Sequence, residues 1–211
     1  MSNKIDYSFA KFGPFLFRSS LPDKITNNLL EEGLKCKESH NHTLAGHIDN
    51  QFAYPKEFIK EFYEDFAPYI KAYRHGHCNY HELDPNVPIE IAPVDLWINF
   101  MKSGDFNPLH THGYDLSFVI YLNFPEEITK ENQSYQGASA GPGAISFNYT
   151  QRAYPEWATT EKHYLPRKGD LFIFPALLQH WVAPYKSNVT RISVSGNIAI
   201  TNKSKFPKNY F

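Results

Sequence analysis

The feature that most constrains the fold is a series of short segments after Pro88 in which apolar and polar residues alternate. These segments are residues 94–100, 116–123, 144–149, 171–174 and 191–200. Alternation with a period of two is typical of β-strands that bury one face. Several short strands separated by Gly, Pro and Asn predict a β-sandwich or a β-barrel.

Before Pro85 the pattern is helical. A proline and an acid at Pro22 and Asp23 mark a helix start, and apolar residues follow at helical spacing. Pro55 opens a second helix with a broad apolar stripe, which we expect to lie against a sheet. We therefore expect one domain over residues 1–211, with a helical support region at 1–84 and a β core at 85–211 that carries an insertion at 125–163.

Composition excludes several classes of protein. Lys and Arg number 21 and Asp and Glu number 22, so the net charge of −1 predicts no nucleic-acid partner and no membrane partner. Hydrophobic residues make up 42% of the chain, with 17 Phe and 14 Tyr, which excludes a disordered protein. Cys36 and Cys78 cannot build a disulfide scaffold or a cysteine metal site. Because Met1 to Ala10 lacks the pattern of a signal peptide, we expect a cytoplasmic location.

The segment from Asn107 to Asp115 contains the sequence His110-Thr111-His112, directly before the strand predicted at 116–123. In an extended chain, residues two apart point the same way at a spacing of about 6.6 Å. The two imidazoles could therefore bind one metal ion. An isolated pair of this kind is at least as often a polar strand end that faces water, so it is weak evidence alone.

Two further elements strengthen the metal interpretation. His180 follows a strand that ends at Pro175 and could supply a third nitrogen ligand, although a single histidine beside a tryptophan is more often a core residue. Arg191 and Ser193 share one strand face, where a guanidinium and a hydroxyl can bind a carboxylate. An amphipathic edge strand would give the same pattern, and only the spacing from His180 favours the anion site.

Together these residues resemble the Fe(II)- and 2-oxoglutarate-dependent oxygenases, in which an HxD-like pair precedes a distal histidine and an Arg-x-Ser. The blocks NPLHTHGYDLSFVIYLN, GDLFIFPALLQHW and RISVSGN are similar to uncharacterised bacterial and phage-encoded members related to prolyl hydroxylases. The resemblance implies a mainly β fold, the double-stranded β-helix or jelly roll, with supporting N-terminal helices.

The resemblance also implies a function. The cofactors would be Fe(II) and 2-oxoglutarate, and the substrate an amino acid or a peptidyl residue, with proline suggested by the prolyl hydroxylases. Iron would be held by His110, His112 and His180, and 2-oxoglutarate by Arg191 with Ser193. Hydrogen bonds to the cosubstrate could come from Tyr121 and Asn99, although ordinary packing or exposure would explain either residue.

One position departs from the family pattern. The usual second ligand is a carboxylate two residues after the first histidine, and here that residue is His112. Either three histidines hold the iron, or Asp115 completes a set of two histidines and one carboxylate. The direct spacing favours three histidines. Asp115 would face the opposite side of the strand unless Gly113 bends the chain.

The substrate is not encoded in any motif. We expect specificity to lie in the insertion, where Arg152, Tyr154 and Trp157 are candidates. An aromatic substrate wall could come from Trp97, Trp181 and Tyr149, although aromatic residues inside a jelly roll are usually only core.

Two alternative functions remain open from the sequence. The first is a metal-dependent enzyme of the cupin type that uses the three histidines without 2-oxoglutarate. The second is a jelly-roll binding protein without catalytic activity. A cupin would carry a glutamate after the histidine pair, and that glutamate is absent.

Overall fold

The computed structural model describes residues 11, 13–41, 45–150 and 160–203. The elements in these residues, in chain order, are β1 (Phe17–Ser20), α1 (Asp23–Gly33), β2 (Gln51–Ala53), α2 (Lys56–His81), β3 (Ile91–Met101), β4 (Asn107–His110), β5 (Leu116–Asn123), α3 (Glu126–Gln133), β6 (Ile145–Asn148), β7 (Glu161–Tyr164), β8 (Asp170–Pro175), β9 (Gln179–Val182) and β10 (Arg191–Ile200).

The strands form two antiparallel sheets. The six-stranded sheet has the order β1-β8-β5-β10-β3-β2, and the four-stranded sheet has the order β4-β9-β6-β7. From β3 to β10 the chain alternates between the two sheets, except at β6 and β7, which are consecutive and paired in the four-stranded sheet. This arrangement confirms the predicted jelly roll.

Strand β5 shows how alternation builds two cores from one strand. Phe118 and Ile120 belong to an apolar cluster beneath the helices, whereas Val119 and Tyr121 belong to a second cluster between the two sheets. Both faces of the six-stranded sheet are therefore covered. The strand has the predicted bounds, and so does β10.

The two N-terminal helices begin where the prolines predict. Pro22 and Pro55 are the residues that precede α1 and α2, and both have extended backbone angles. On α2, the ring of Phe66 packs against Phe118 of β5 with the ring centroids 4.7 Å apart. Burial of such aromatic rings joins the helical region to the sheet.

The insertion at 125–163, in which the sequence predicts one strand at 144–149, contains more regular structure than that. Its described part contains α3, β6 and the beginning of β7. Within α3, Ile128 is fully buried in the core between the sheets. None of the helices in the described residues combines the length and the apolar character needed to cross a membrane.

Candidate metal centre and anion site

Three histidines lie together between the two sheets. The ring centroids of His110 and His180 are 4.2 Å apart, and the centroid of His112 is 5.1 Å from each of them. One nitrogen from each ring can be chosen so that all three lie within 4.8 Å of one another. Such a spacing fits nitrogen ligands around one metal ion.

Strand pairing brings the three rings to one place. His110 and His180 are direct partners across β4 and β9 in the four-stranded sheet. His112 follows the end of β4, where its backbone N–H donates to the carbonyl of Ala176 at 2.9 Å. The turn between β8 and β9 therefore positions His112 as well as His180.

Backbone carbonyls fix the tautomers of two of the rings. Nδ1 of His110 lies 2.7 Å from the carbonyl oxygen of Pro108, and Nδ1 of His180 lies 2.9 Å from that of Leu178. A carbonyl oxygen only accepts, so each Nδ1 carries the proton and donates it. The lone pair of each ring is then on Nε2, which is free to bind a metal.

Burial keeps the three imidazoles neutral. Desolvation, together with a smaller effect of the neighbouring His110, lowers the pKa of His180 to about 3 and that of His112 to about 4. Desolvation also lowers the pKa of His110. Since only a neutral imidazole can coordinate a metal, all three rings are in the ligand form at neutral pH.

The histidines line a cavity of about 290 Å³ whose floor is the six-stranded sheet. Asn99 on β3 and Ser193 on β10 face this cavity, and Tyr121 on β5 lines it too. All three side chains are nearly inaccessible to bulk solvent. The sequence analysis predicted these residues for cosubstrate contacts, and the structure places them in the same cavity as the histidines.

Arg191 also lines the cavity and is a buried cation without a counterion. Its side chain is 3% exposed, and no carboxylate in the described part of the chain lies within 4 Å of it. Nη1 donates to the carbonyl of Gly143 at 3.2 Å, Nη2 contacts Met101 Sδ, and Nε has no hydrogen-bond partner. Burial of an unpaired charge is costly, so this arrangement favours an anionic ligand.

Asp115 does not join the histidines. One carboxylate oxygen accepts the backbone N–H of Ile200 at 2.8 Å, and the other lies 2.5 Å from Nζ of Lys203. Asp115 is absent from the residues that line the cavity of the histidines. The structure therefore does not support the alternative in which Asp115 is a metal ligand, because its carboxylate instead holds the end of β10.

The predicted aromatic wall is reduced to one residue. Trp97 lines the cavity, and its ring centroid is 6.0 Å from that of His112. Trp181 lies beside His163, and Tyr149 lies near Gly13; neither lines the cavity. The specificity residues predicted in the insertion, Arg152, Tyr154 and Trp157, lie outside the described residues.

The sequence analysis missed several residues of the cavity. Asp95 faces it from the same strand as Trp97 and Asn99, and Gln51 and His40 line it from the segment before α2. The alternation on β3 could have identified Asp95, since it places residues 95, 97 and 99 on one face. Gln51 and His40 carry no such signal.

Comparisons with known proteins agree with this site. Residues 95–197, just under half of the chain, match the sequence model of a family described as "Putative 2OG-Fe(II) oxygenase". The match covers the three histidines and Arg191. No curated protein sequence gave a significant match.

Solved structures share the fold at low sequence identity. A viral collagen prolyl hydroxylase from Paramecium Bursaria Chlorella virus-1, solved with 2OG, is 16% identical with a TM-score of 0.54, over 89% of this chain and 98% of that one. A Pseudomonas putida prolyl-4-hydroxylase is 15% identical with a TM-score of 0.52, over 86% of this chain and 90% of that one. A Trichoplax adhaerens prolyl hydroxylase, solved with a hypoxia inducible factor peptide, is 12% identical with a TM-score of 0.52, over 91% and 84% of the two chains.

The fold and the site define a jelly-roll protein in which a cluster of three histidines and a buried arginine line one cavity. The family match confirms the resemblance of the chain to the Fe(II)- and 2-oxoglutarate-dependent oxygenases, and prolyl hydroxylases are among the solved structures that share its fold. The predicted cofactors, Fe(II) and 2-oxoglutarate, are those that the description of the matching family contains.

Proposed function

We propose that this protein is an Fe(II)- and 2-oxoglutarate-dependent hydroxylase that acts on an amino acid or on an amino-acid residue of a peptide. The observation that carries the proposal is that three neutral imidazoles and an unpaired buried guanidinium line one cavity. A metal site alone would not need the guanidinium, and an anion site alone would not need the histidines.

The residues present fit the metal. Imidazole nitrogens are suitable ligands for Fe(II), and a set of three would leave coordination positions for other ligands. When bound together, iron and 2-oxoglutarate supply the chemistry that places one atom of dioxygen in a C–H bond and the other in succinate, with release of carbon dioxide. His110, His112 and His180 are the proposed ligands.

Arg191 fits the distal carboxylate of 2-oxoglutarate. Its unpartnered Nε and its lack of a carboxylate partner leave the guanidinium able to form a charge-assisted pair with an anion. The hydroxyl of Ser193, two residues along β10, lines the same cavity and is proposed to add a hydrogen bond. Tyr121, whose ring centroid is 5.5 Å from the guanidinium carbon, and Asn99 are the proposed further contacts.

Apolar side chains enclose the histidines and limit the access of water. Phe174 packs against His180 with ring centroids 4.8 Å apart, and Ile145 and Val182 complete the lining on that side. Exclusion of water strengthens the electrostatic interactions of Arg191 and protects reactive species from solvent. The role of the chain is therefore to keep the ligands neutral, orient the cosubstrate and keep the site dry.

The substrate class is supported by the prolyl hydroxylases among the structures of the same fold, one of which was solved with a peptide. Proline is therefore the first amino acid to test, free and within peptides. A cytoplasmic location is part of the proposal, and the two free thiols of Cys36 and Cys78 fit a reducing compartment.

The test is formation of succinate from 2-oxoglutarate by the purified protein supplied with Fe(II) and dioxygen. We expect turnover that His180→Ala abolishes and that His163→Ala retains. His163 is the matched control because it lies on β7 of the same sheet but outside the cavity. Metal binding without succinate would favour a cupin-type enzyme, and neither metal binding nor turnover would favour a binding protein.

A further inference from the structure

Paired residues of β3 and β10 form the floor of the cavity. A cationic side chain lies at one end of this floor and an anionic side chain at the other. At one end Arg191 pairs with Met101, and at the other end Asn197 pairs with Asp95. Between them, the pairs are Asn99 with Ser193 and Trp97 with Ser195. Asp95 is the one carboxylate, and Arg191 the one Lys or Arg side chain, among the described residues that line the cavity.

The two ends are too far apart for one small cosubstrate. Arg191 and Asn197 are separated by six residues, which span about 20 Å in an antiparallel strand. The five-carbon chain of 2-oxoglutarate is much shorter than this distance. A cosubstrate held by Arg191 therefore leaves the end at Asp95 open to a second molecule.

Asp95 is a partly buried carboxylate that forms no ion pair with a lysine or an arginine of the described residues. Its Oδ1 accepts the backbone N–H of Asn197 at 3.0 Å. No Lys or Arg nitrogen in the described residues lies within 4 Å of the carboxylate. Burial raises the pKa of Asp95, and the hydrogen bonds from Asn197 and the charge of the neighbouring His40 only partly offset that effect. A partly desolvated carboxylate in this position favours a cationic ligand.

Aromatic rings flank the path from Asp95 to the metal centre. The ring of His40 stacks on Trp97 with centroids 5.0 Å apart, and Trp97 in turn lies beside His112. Trp97 is two residues from Asp95 on the same face of β3. Aromatic faces attract cationic groups, so this wall and the carboxylate favour the same kind of ligand.

We propose that Asp95 recognises the substrate, and that the substrate carries a protonated amine or a guanidinium that pairs with this carboxylate. The inference rests on the proposed function and adds to it the chemical class of the substrate. The cationic nitrogen could belong to the α-amino group of a free amino acid or to a lysine-like or arginine-like side chain. The carbon to be hydroxylated would lie between this nitrogen and the three histidines.

A purely structural role for Asp95 makes a different prediction. The register of β3 against β10 shifts between Asn197 and Ile198, and the carboxylate could serve only to hold the backbone at that irregularity. In Asp95→Asn the amide oxygen can still accept the N–H of Asn197, so the substitution removes the charge and keeps that hydrogen bond.

The experiment measures binding to the full-length protein loaded with Mn(II) and 2-oxoglutarate, by isothermal titration calorimetry. The probes are three pairs that differ in one charge: L-lysine and L-norleucine, L-proline and N-acetyl-L-proline, and the capped tripeptide Gly-Lys-Gly and its norleucine counterpart. The first and third pairs test a side-chain cation, and the second tests an α-amino cation. Asp115→Asn is the matched control, because Asp115 also accepts a backbone N–H of β10 but lies outside the cavity.

We expect at least one cationic probe to bind about tenfold or more tightly than its neutral partner, as a charge-assisted hydrogen bond implies. Asp95→Asn should remove that preference, and Asp115→Asn should keep it. The proposal is overturned if no cationic probe is preferred by the wild type, or if the preference survives in Asp95→Asn.

The wild-type comparison needs no variant, so it remains decisive even if Asp95→Asn fails to fold. Loading the protein requires a first titration, of 2-oxoglutarate into the Mn(II)-bound protein. This titration tests the proposed function separately from the role of Asp95. Failure of that step contradicts the proposed function. Success there, followed by equal binding of charged and neutral probes, contradicts only the role of Asp95.

Discussion

His110 and His180 are direct partners across two antiparallel strands, and each ring donates from Nδ1 to the backbone carbonyl two residues before it. The same local hydrogen bond therefore fixes both tautomers and directs both Nε2 atoms to the available metal position. Because these hydrogen bonds fix the orientation of both rings, metal binding requires little reorganisation of the two ligands.

The first prediction concerns Arg191→Met, which removes the guanidinium and keeps an unbranched side chain. Affinity for 2-oxoglutarate should fall by about tenfold or more, because a charged hydrogen bond contributes about 1.5–3 kcal/mol. Affinity for Mn(II) should be unchanged, since Arg191 is not a ligand. Calorimetric titration of each ligand measures both affinities. A loss of Mn(II) affinity as large as the loss of 2-oxoglutarate affinity would contradict the assignment of Arg191 to 2-oxoglutarate binding.

The same variant tests whether Arg191 is unpaired in the ligand-free protein. Removal of one partner from a buried ion pair costs about 3–5 kcal/mol, because the other charge is left uncompensated. Here no such partner is present in the described residues, and removal of an unpaired buried charge also removes its desolvation penalty, so the unfolding free energy of Arg191→Met should equal or exceed that of wild type. Urea denaturation without ligands measures it, with Arg18→Met, a substitution of an exposed arginine, as the control.

How far the sequence predicted the fold depended on strand length. The long alternating runs at 116–123 and 191–200 were predicted with their observed bounds, since eight or more residues define a period of two clearly. Of the five four-residue strands, β1, β4, β7 and β9 were missed because so few residues carry no reliable period, whereas β6 lies within the strand predicted at 144–149. The helix α3 was missed because it is polar except for Ile128.

The prediction of the candidate site depended on residue type and spacing together with the family resemblance. The structure brings the three histidines and Arg191, which were selected in this way, to one cavity. The distinction between His112 and Asp115 required the register of β4 and the position of β10, which depend on contacts distant in sequence. Asp95 was missed because a polar residue on an alternating strand is by default expected to face solvent.

The second prediction decides the third metal ligand. His112→Ala should weaken Mn(II) binding by about tenfold or more, whereas Asp115→Asn should leave it unchanged. His112→Asp should restore much of the affinity, because it creates a set of two histidines and one carboxylate that also suits iron. Loss of metal binding in Asp115→Asn, with an intact fold by circular dichroism, would indicate instead that Asp115 is the third metal ligand.

The third prediction concerns pH. In the folded protein the pKa values of His112 and His180 are lowered to about 4 and about 3, below the ordinary value of 6.5. The unfolded chain therefore binds more protons in this range, so the metal-free protein should lose stability as the pH falls below about 6.5. Urea denaturation in the presence of EDTA at pH 7.5, 6 and 5 measures the slope. An unfolding free energy that increased from pH 7.5 to pH 5 would contradict the buried, neutral state of the rings.

The fourth prediction concerns the packing under the cavity floor. A Cβ added at Gly196 would lie 2.5 Å from the ring of Phe118 and 2.8 Å from the carbonyl oxygen of Asp95. Since the backbone atom cannot give way easily, Gly196→Ala should destabilise the protein by about 1–3 kcal/mol. Gly104→Ala is not a matched control because Gly104 has a positive φ, so Gly113→Ala, where nothing lies within 4 Å, is the better comparison.

The central claim is that the histidines and Arg191 form one site, and the most direct measurement is the linkage between their two ligands. The melting temperature should be recorded for the untagged protein with Mn(II) alone, with 2-oxoglutarate alone, and with both. A ligand that binds the folded state stabilises it by mass action, so a cosubstrate that chelates the bound metal should give a combined increase larger than the sum of the separate ones. Strictly additive increases, or a response to 2-oxoglutarate that does not depend on Mn(II), would contradict the account.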